Sequence, residues 1–399
     1  MEESRNGVWR NRNILAMGFT SLFADLSYEM GNAVLPSLLV VTLGGSPLTL
    51  GLVEGISDGA SSISKSFSGY VSDRLGRRKP LINIGYLMTG ILIPVIGIAG
   101  SAVQVLVLKT LAWFGRGLRG PPRDALIAES VDSGEVGRAF GLQRAMDQVG
   151  AVLGPLLALV LGAYLSYSQI FIVGLVPGIV AFMIVLLVVR EASAGYKIDQ
   201  GTRNPGFGES IGMLPRRFKM FVTGAGIFGI ANFANTLFVL RARDILAPQL
   251  GSAQASLASF GLYGLLNAVY SVASYPVGQL GDRWSKRNLL VAGYVLFSAS
   301  AIGIIFVGAS LAGLALVFAL AGLHVAFVDT SEAGFAADLL PEQLRGTGYG
   351  LLHTVNGIGD LVSSVTVGWV WILFSPFAAF GYAASLSLAS ALLMVVLTR

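Results

Sequence analysis

Gly69-Tyr70-Val71-Ser72-Asp73-Arg74-Leu75-Gly76-Arg77-Arg78-Lys79 is a short charged stretch between two long apolar ones. A second version, Gly278-Gln279-Leu280-Gly281-Asp282-Arg283-Trp284-Ser285-Lys286-Arg287, sits in the same setting, and Asp282 follows Asp73 by 209 residues. The same offset matches Phe140-Gly141-Leu142 to Tyr349-Gly350-Leu351 and Leu111-Ala112 to Leu320-Ala321. It also matches Gly137 to Gly346 and Gly150 to Gly359, without a gap. The chain reads as a duplicated membrane unit with a charged loop at one place in each half. That organisation points to transport and away from enzymatic chemistry.

Composition agrees. The 399 residues are 54% hydrophobic and 12% charged, against about 25% charged in an ordinary soluble domain. There is no cysteine, which excludes disulfides, thiolate metal sites and cysteine nucleophiles. The net charge of +5 does not imply nucleic acid, because the basic residues lie in short loops beside apolar spans. No serine-hydrolase, metalloprotease or nucleotide-phosphate motif is present, and the glycine-rich stretches lie in apolar helical segments.

A helix needs about 20 residues to cross the apolar core of a bilayer. Twelve segments qualify: 13–36, 47–70, 80–100, 103–127, 138–163, 168–190, 217–243, 255–279, 288–308, 311–337, 346–373 and 375–397. The basic loops fall on one side and the alternate loops hold no charge, so both termini are expected in the cytoplasm. Arg241, Arg243 and Asp244, at the far end of the seventh span, are the exception. The polar, glycine-rich segment 191–216 reads as a linker between bundles 1–190 and 217–399. Six spans per half give both halves one orientation, a parallel repeat about an axis along the membrane normal. The fold class is an all-α polytopic membrane protein of two six-helix bundles.

On these residues the chain resembles the major facilitator superfamily over essentially its whole length. The stretch Gly69 to Arg78 matches that family's loop pattern between its second and third helices, while the second copy has Ser285 in place of the later glycine. The resemblance implies a gating role for Gly69, Asp73, Arg74, Gly76, Arg77 and Arg78, and for Gly278, Asp282, Arg283 and Arg287. Asp73 would contact the end of a helix of the other bundle. Gly150-Ala151-Val152-Leu153-Gly154-Pro155 is similar to the antiporter motif of drug:proton exporters, through Gly150, Gly154 and Pro155. The second half has Ser363-Ser364 where the first has Gly154-Pro155.

Charges inside the spans are costly, about 3 kcal/mol each on insertion scales. Asp25 and Glu29 lie one turn apart in span one, as do Glu54 and Asp58 in span two. Lys109, Arg116, Arg119 and Arg123 form a stripe along span four. Near-cancellation of charge implies one coupled network around water. Asp25, Glu29, Glu54, Asp58 and Lys109 are the candidate proton-coupling residues, since a carboxylate that meets and loses a cation changes its affinity for protons. By the resemblance, Lys109 stands where such exporters carry arginine, and Trp113 where they carry glycine. Arg116, Arg119 and Arg123 are candidate substrate contacts, suited to anions. Tyr263, Asn267, His324, Asp329, Glu332, Asn356 and Asp360 are candidate liners from the second half.

The expected function is secondary active transport by alternating access, as proton-coupled export of a small organic molecule. The alternative is import or exchange of an organic anion held by the span-four arginines. No metal or other cofactor is expected beyond a proton gradient, and the partners are a small-molecule substrate and the lipid bilayer. A monomer in the inner (plasma) membrane completes the reading.

Overall fold

The computed structural model describes residues 10–75, 77–131, 135–191, 212–341 and 344–397. These residues form helices and no strand. The first are α1 (Arg12–Ser37), α2 (Pro47–Leu75), α3 (Lys79–Val95), α4 (Ala102–Glu129) and α5 (Val136–Leu161). Next come α6 (Tyr167–Val173) and α7 (Leu175–Leu187), then α8 (Arg216–Gly229) and α9 (Asn235–Leu250). The last are α10 (Ser252–Arg283), α11 (Lys286–Phe306), α12 (Leu311–Leu339), α13 (Arg345–Leu373) and α14 (Pro376–Leu397). Side-chain caps start several of them. Asn11 accepts from the first amides of α1, Ser101 from α4 and Ser310 from α12, and Ser166 forms a capping box with Gln169.

Seven stretches are long and apolar enough to cross a membrane: Lys79–Ile98, Arg138–Leu161, Tyr167–Leu187, Ser252–Gly281, Lys286–Phe306, Leu311–Ala336 and Pro376–Val396. The other five expected spans fall short among the described residues. The reasons are visible in the sequence. Segments α1, α2 and α4 carry the carboxylates and cations discussed above, and α8 and α9 are each shorter than 18 residues. Segment α13 is diluted by His353, Asn356, Asp360, Ser363 and Ser364. The expected seventh span, 217–243, is in fact broken between Gly229 and Asn235 and runs on to Leu250.

Two compact units are present, and they do not follow the sequence halves strictly. The first comprises residues 1–45, 56–197 and the Ser256–Gly264 stretch of α10. The second comprises Ser46–Gly55 of α2, then 198–255 and 265–399. Most of the expected linker, 192–211, lies outside the described residues.

Within the first unit, α1 packs along α5, and α3 packs between α4 and α7. Glycines set the approach. A Cβ at Gly150 would collide with the Leu22 carbonyl, and one at Gly154 would lie 2.8 Å from the Met30 nitrogen. The expected close-approach motif is thus a helix contact with α1. One face of α4 shows Val103, Val107, Leu111 and Phe114 exposed at three- and four-residue spacing, the signature of a lipid-facing stripe.

In the second unit, α8 packs on α13 and α14, and α11 on α12 and α14. An aromatic core of Phe228, Phe233, Phe238, Phe297 and Phe380 fills it, with Phe228 stacked on Tyr294 at 3.8 Å. The break before α9 leaves backbone groups that lipid cannot satisfy. Ser363 Oγ donates to the Asn232 carbonyl at 2.8 Å, and the Ala234 amide donates to Ser364 Oγ at 3.0 Å. The two serines that replace Gly-Pro in this half therefore repair a broken helix.

Candidate transport site

The charged residues of α1, α2 and α4 meet inside the first unit. Asp25 is 4% exposed and has Asp147, Arg116 and Glu29 as charged neighbours. Glu29 accepts a hydrogen bond from Tyr263 Oη at 2.7 Å, supplied by the α10 stretch that belongs to this unit. Lys109 is 1% exposed; its Nζ donates to Asn32 Oδ1 at 3.3 Å and lies 4.7 Å from the Trp113 ring. Trp113 Nε1 donates to Asp58 Oδ1 at 2.9 Å. The Arg116 guanidinium lies 5.0 Å from the Tyr28 ring and 5.4 Å from Trp113, which themselves meet edge to face. Charge here is screened by rings as well as by opposite charge.

The span-four stripe divides. Arg119, 3% exposed, turns to α3, stacking 3.9 Å over Tyr86 and donating to Thr89 Oγ1 at 2.9 Å. Arg123 pairs with its neighbour Asp124 at 2.9 Å. Glu54, also 4% exposed, belongs to the second unit with the first turns of α2. Of the expected network, the first unit thus brings together Asp25, Glu29, Asp58, Lys109 and Arg116. Arg119 turns to α3 instead, and Arg123 pairs with Asp124 while also facing Asp147, itself a charged neighbour of Asp25.

In the second unit, Asn356 Nδ2 donates to Glu332 Oε2 at 2.8 Å, and Tyr270 Oη donates to Asp329 Oδ2 at 3.0 Å. Asn267 is buried and Asp360 half-buried. His324 is 3% exposed, hydrogen-bonded through Nδ1 to the Gly293 carbonyl at 2.9 Å, with Phe228 and Phe297 against its ring. That is a packed position. No cluster of three metal-binding side chains occurs among the described residues.

The charged loops are anchored at home. Arg78 donates to Ser72 Oγ at 2.6 Å and pairs with Glu129 at 3.1 Å, while Glu191 accepts from the Arg78 and Lys79 amides at the start of α3. In the second loop Lys286 pairs with Asp338 at 2.8 Å. Glu129 and Asp338 are themselves 209 residues apart, so each loop is tied to the end of a helix of its own unit at one place in the repeat. Arg77 is exposed, and Gly278 and Arg287 are half-buried. The side chains of Gly69, Asp73, Arg74, Gly76, Asp282 and Arg283 lie outside the described residues.

Sequence reasoning did not single out Tyr28, Asn32, Glu129, Glu191 or Asp338 as part of these sites. The repeat offset was a usable signal for Glu129 and Asp338. Nothing in the linear order marks Tyr28 or Asn32.

The family model described as Major Facilitator Superfamily matches residues 17–269 and 221–399. An uncharacterised MFS-type transporter of Methanocaldococcus jannaschii is 33% identical over 387 residues, covering 96% of this chain and 94% of that one. Multidrug resistance protein MdtH of Salmonella paratyphi B is 24% identical over 364 residues, covering 90% and 84%. Among solved structures, a point mutant of the nucleoside transporter NupG superposes with TM-score 0.83 at 13% identity, covering 97% and 100%. A D-xylose–proton symporter superposes with TM-score 0.71 at 15% identity, covering 96% and 97%. Duplicated charged loops, buried intramembrane charge and these likenesses have one common explanation: the chain belongs to the major facilitator superfamily and is an integral membrane transporter, not an enzyme.

Proposed function

We propose that the protein is a proton-coupled exporter of small organic molecules, built as twelve spans in two six-helix bundles, 1–190 and 217–399, joined by 191–216. It works by alternating access as a monomer in the inner membrane, with both termini cytoplasmic. The observation that carries the reading is the charged group of the first unit: buried Asp25 and Lys109 with half-buried Glu29, Asp58 and Arg116. Carboxylates held beside movable cations are suited to gaining and losing protons as those cations shift. The contact of Gly150 and Gly154 with α1 sets the antiporter-type motif directly behind Asp25 and Glu29, since a Cβ at Gly150 would lie 3.0 Å from Asp25 Cβ and one at Gly154 3.0 Å from Glu29 Cβ. Similarity to a multidrug resistance protein supports export.

The alternative, exchange of an organic anion clamped by Arg116, Arg119 and Arg123, has less support. Each guanidinium already faces partners in its own unit: rings for Arg116, Tyr86 and Thr89 for Arg119, and Asp124 for Arg123.

Susceptibility of an efflux-deficient host to a panel of structurally unrelated antibacterial compounds identifies a substrate. Purified protein in liposomes then moves that substrate against an imposed proton gradient, and reversing the gradient reverses the flux. Asp25→Asn abolishes gradient-driven movement and leaves substrate-for-substrate exchange intact. Flux that ignores both gradients, or an unchanged Asp25→Asn variant, would sink the reading.

A further inference from the structure

The repeat places Glu332 of α12 at the position Arg123 holds in α4, and Asn356 of α13 at that of Asp147 in α5. In the first unit this position holds a permanent cation with Asp147 among the charges that face it. In the second it holds a carboxylate against a neutral amide, Asn356 Nδ2 to Glu332 Oε2 at 2.8 Å. The polar and charged groups facing Glu332 are Asp329 one turn earlier on α12, Tyr294 from α11 and Asn356 from α13. Among the described residues none of these groups is a cation. Asp329 accepts from Tyr270 of α10, and the nearby loop cation Lys286 is paired with Asp338.

Tyr294 adds an independent observation. It is 0% exposed, and its hydroxyl has no hydrogen-bond partner among the described residues. Buried hydroxyls are nearly always paired, so a spare donor facing a carboxyl calls for a reason. An ionised carboxylate inside a membrane and without a cation is strongly disfavoured, and the remedy is a proton or a bound metal cation. Glu332 is only half-buried, which leaves a path for exchange.

We propose that Glu332 is a proton-carrying residue of the second unit, positioned by Asn356 and Tyr294. The proposal rests on the proton-coupled reading above and adds a second site to it. As the acid, Glu332 needs no counter-charge. When its O–H bond breaks and the proton passes to water, the carboxylate gains an acceptor for the spare Tyr294 hydroxyl, alongside the bond from Asn356. The site thus has a polar partner ready for each protonation state, which a static ion pair would not need.

Infrared difference spectroscopy of the full chain in lipid, titrated with pH and with the proton itself as the probe, tests this. Carbon-13 labelling of glutamate identifies a carboxylic-acid band that grows as pH falls. Glu332→Gln loses that band and Asp25→Asn keeps it. Glu332→Asp, which retains the acid, transfers the band to the aspartate-labelled set and covers the case in which the amide variant does not fold. Tyr294→Phe changes the pH at which the band appears, an effect that a purely structural tyrosine would not have. A band untouched by Glu332→Gln overturns the proposal, as does one that sodium abolishes at constant pH, which would mean a metal cation occupies the site. A titrating Glu332 without gradient-driven flux would leave this proton site standing and remove the coupling reading instead.

Discussion

The two units handle polar groups inside a membrane by different means. In the first, acids are offset by cations and by aromatic faces: Asp25 and Glu29 near Arg116, Lys109 on Trp113, Arg119 on Tyr86. In the second, Glu332 accepts from the neutral Asn356 and Asp329 from Tyr270, and serines mend the broken helix. Yet the repeat-related acids Glu129 and Asp338 each hold a loop cation, Arg78 in the first unit and Lys286 in the second. Duplication has kept the features that hold the loops and has let the interior charge diverge.

The comparison breaks most readily at the glycines. Gly154→Leu should be the most damaging change, because the side chain would enter α1 at the Met30 backbone. Overpacking of this kind costs about 1–3 kcal/mol even where side chains can yield, and backbone yields less. Lower yield of folded protein in detergent and a reduced melting temperature are the expected outcomes. Wild-type stability would mean that α1 and α5 are not locked at this point.

The loop pairs sharpen the comparison next. Arg78 is mostly buried and holds both Ser72 and Glu129, whereas Lys286 and Asp338 are more exposed. Arg78→Ala should cost about 2–3 kcal/mol, by leaving the Glu129 carboxylate and the Ser72 hydroxyl without their donor. Lys286→Ala should cost under about 1 kcal/mol and vary with salt. Equal losses in thermal unfolding would show that the two loop pairs are energetically alike. Trp113→Phe should fall between these two. It keeps the ring that faces Lys109 and removes the donor to Asp58, a loss of about 1.5–3 kcal/mol if the acceptor is ionised and about 1 kcal/mol if it is protonated. Measuring it at acidic and alkaline pH tells the two states apart, and a pH-independent loss would mean Asp58 does not titrate in that range.

Class and family were legible in the linear chain because they rest on features that do not depend on contacts. A 209-residue repeat, two charged loops and spans of sufficient apolar length are countable. So was the close-approach motif at Gly150 and Gly154, since small residues four apart have few other uses in a membrane helix. The break at 230–234 was not legible. Its sequence is apolar enough to continue a helix, and only Ser363 and Ser364, about 130 residues away, make the interruption tolerable. The same limit applied to the arginines of α4. Spacing put Lys109, Arg116, Arg119 and Arg123 on one stripe, but spacing does not say which neighbour offers a ring or a hydroxyl.

What the amino-acid order determined by itself is the kind of protein: hydropathy and charge placement are sums over local segments, and a bilayer reads them segment by segment. What only the tertiary structure decided is how each interior charge is compensated. Compensation depends on distances of a few ångströms between residues far apart in the chain, as with Glu29 and Tyr263 or Glu332 and Asn356. Electrostatic interactions in a medium of low dielectric constant change steeply over such distances. The same four charges on α4 therefore become a ring contact, a stack, a neighbour pair and an amide-bound lysine, according to what the fold sets beside them.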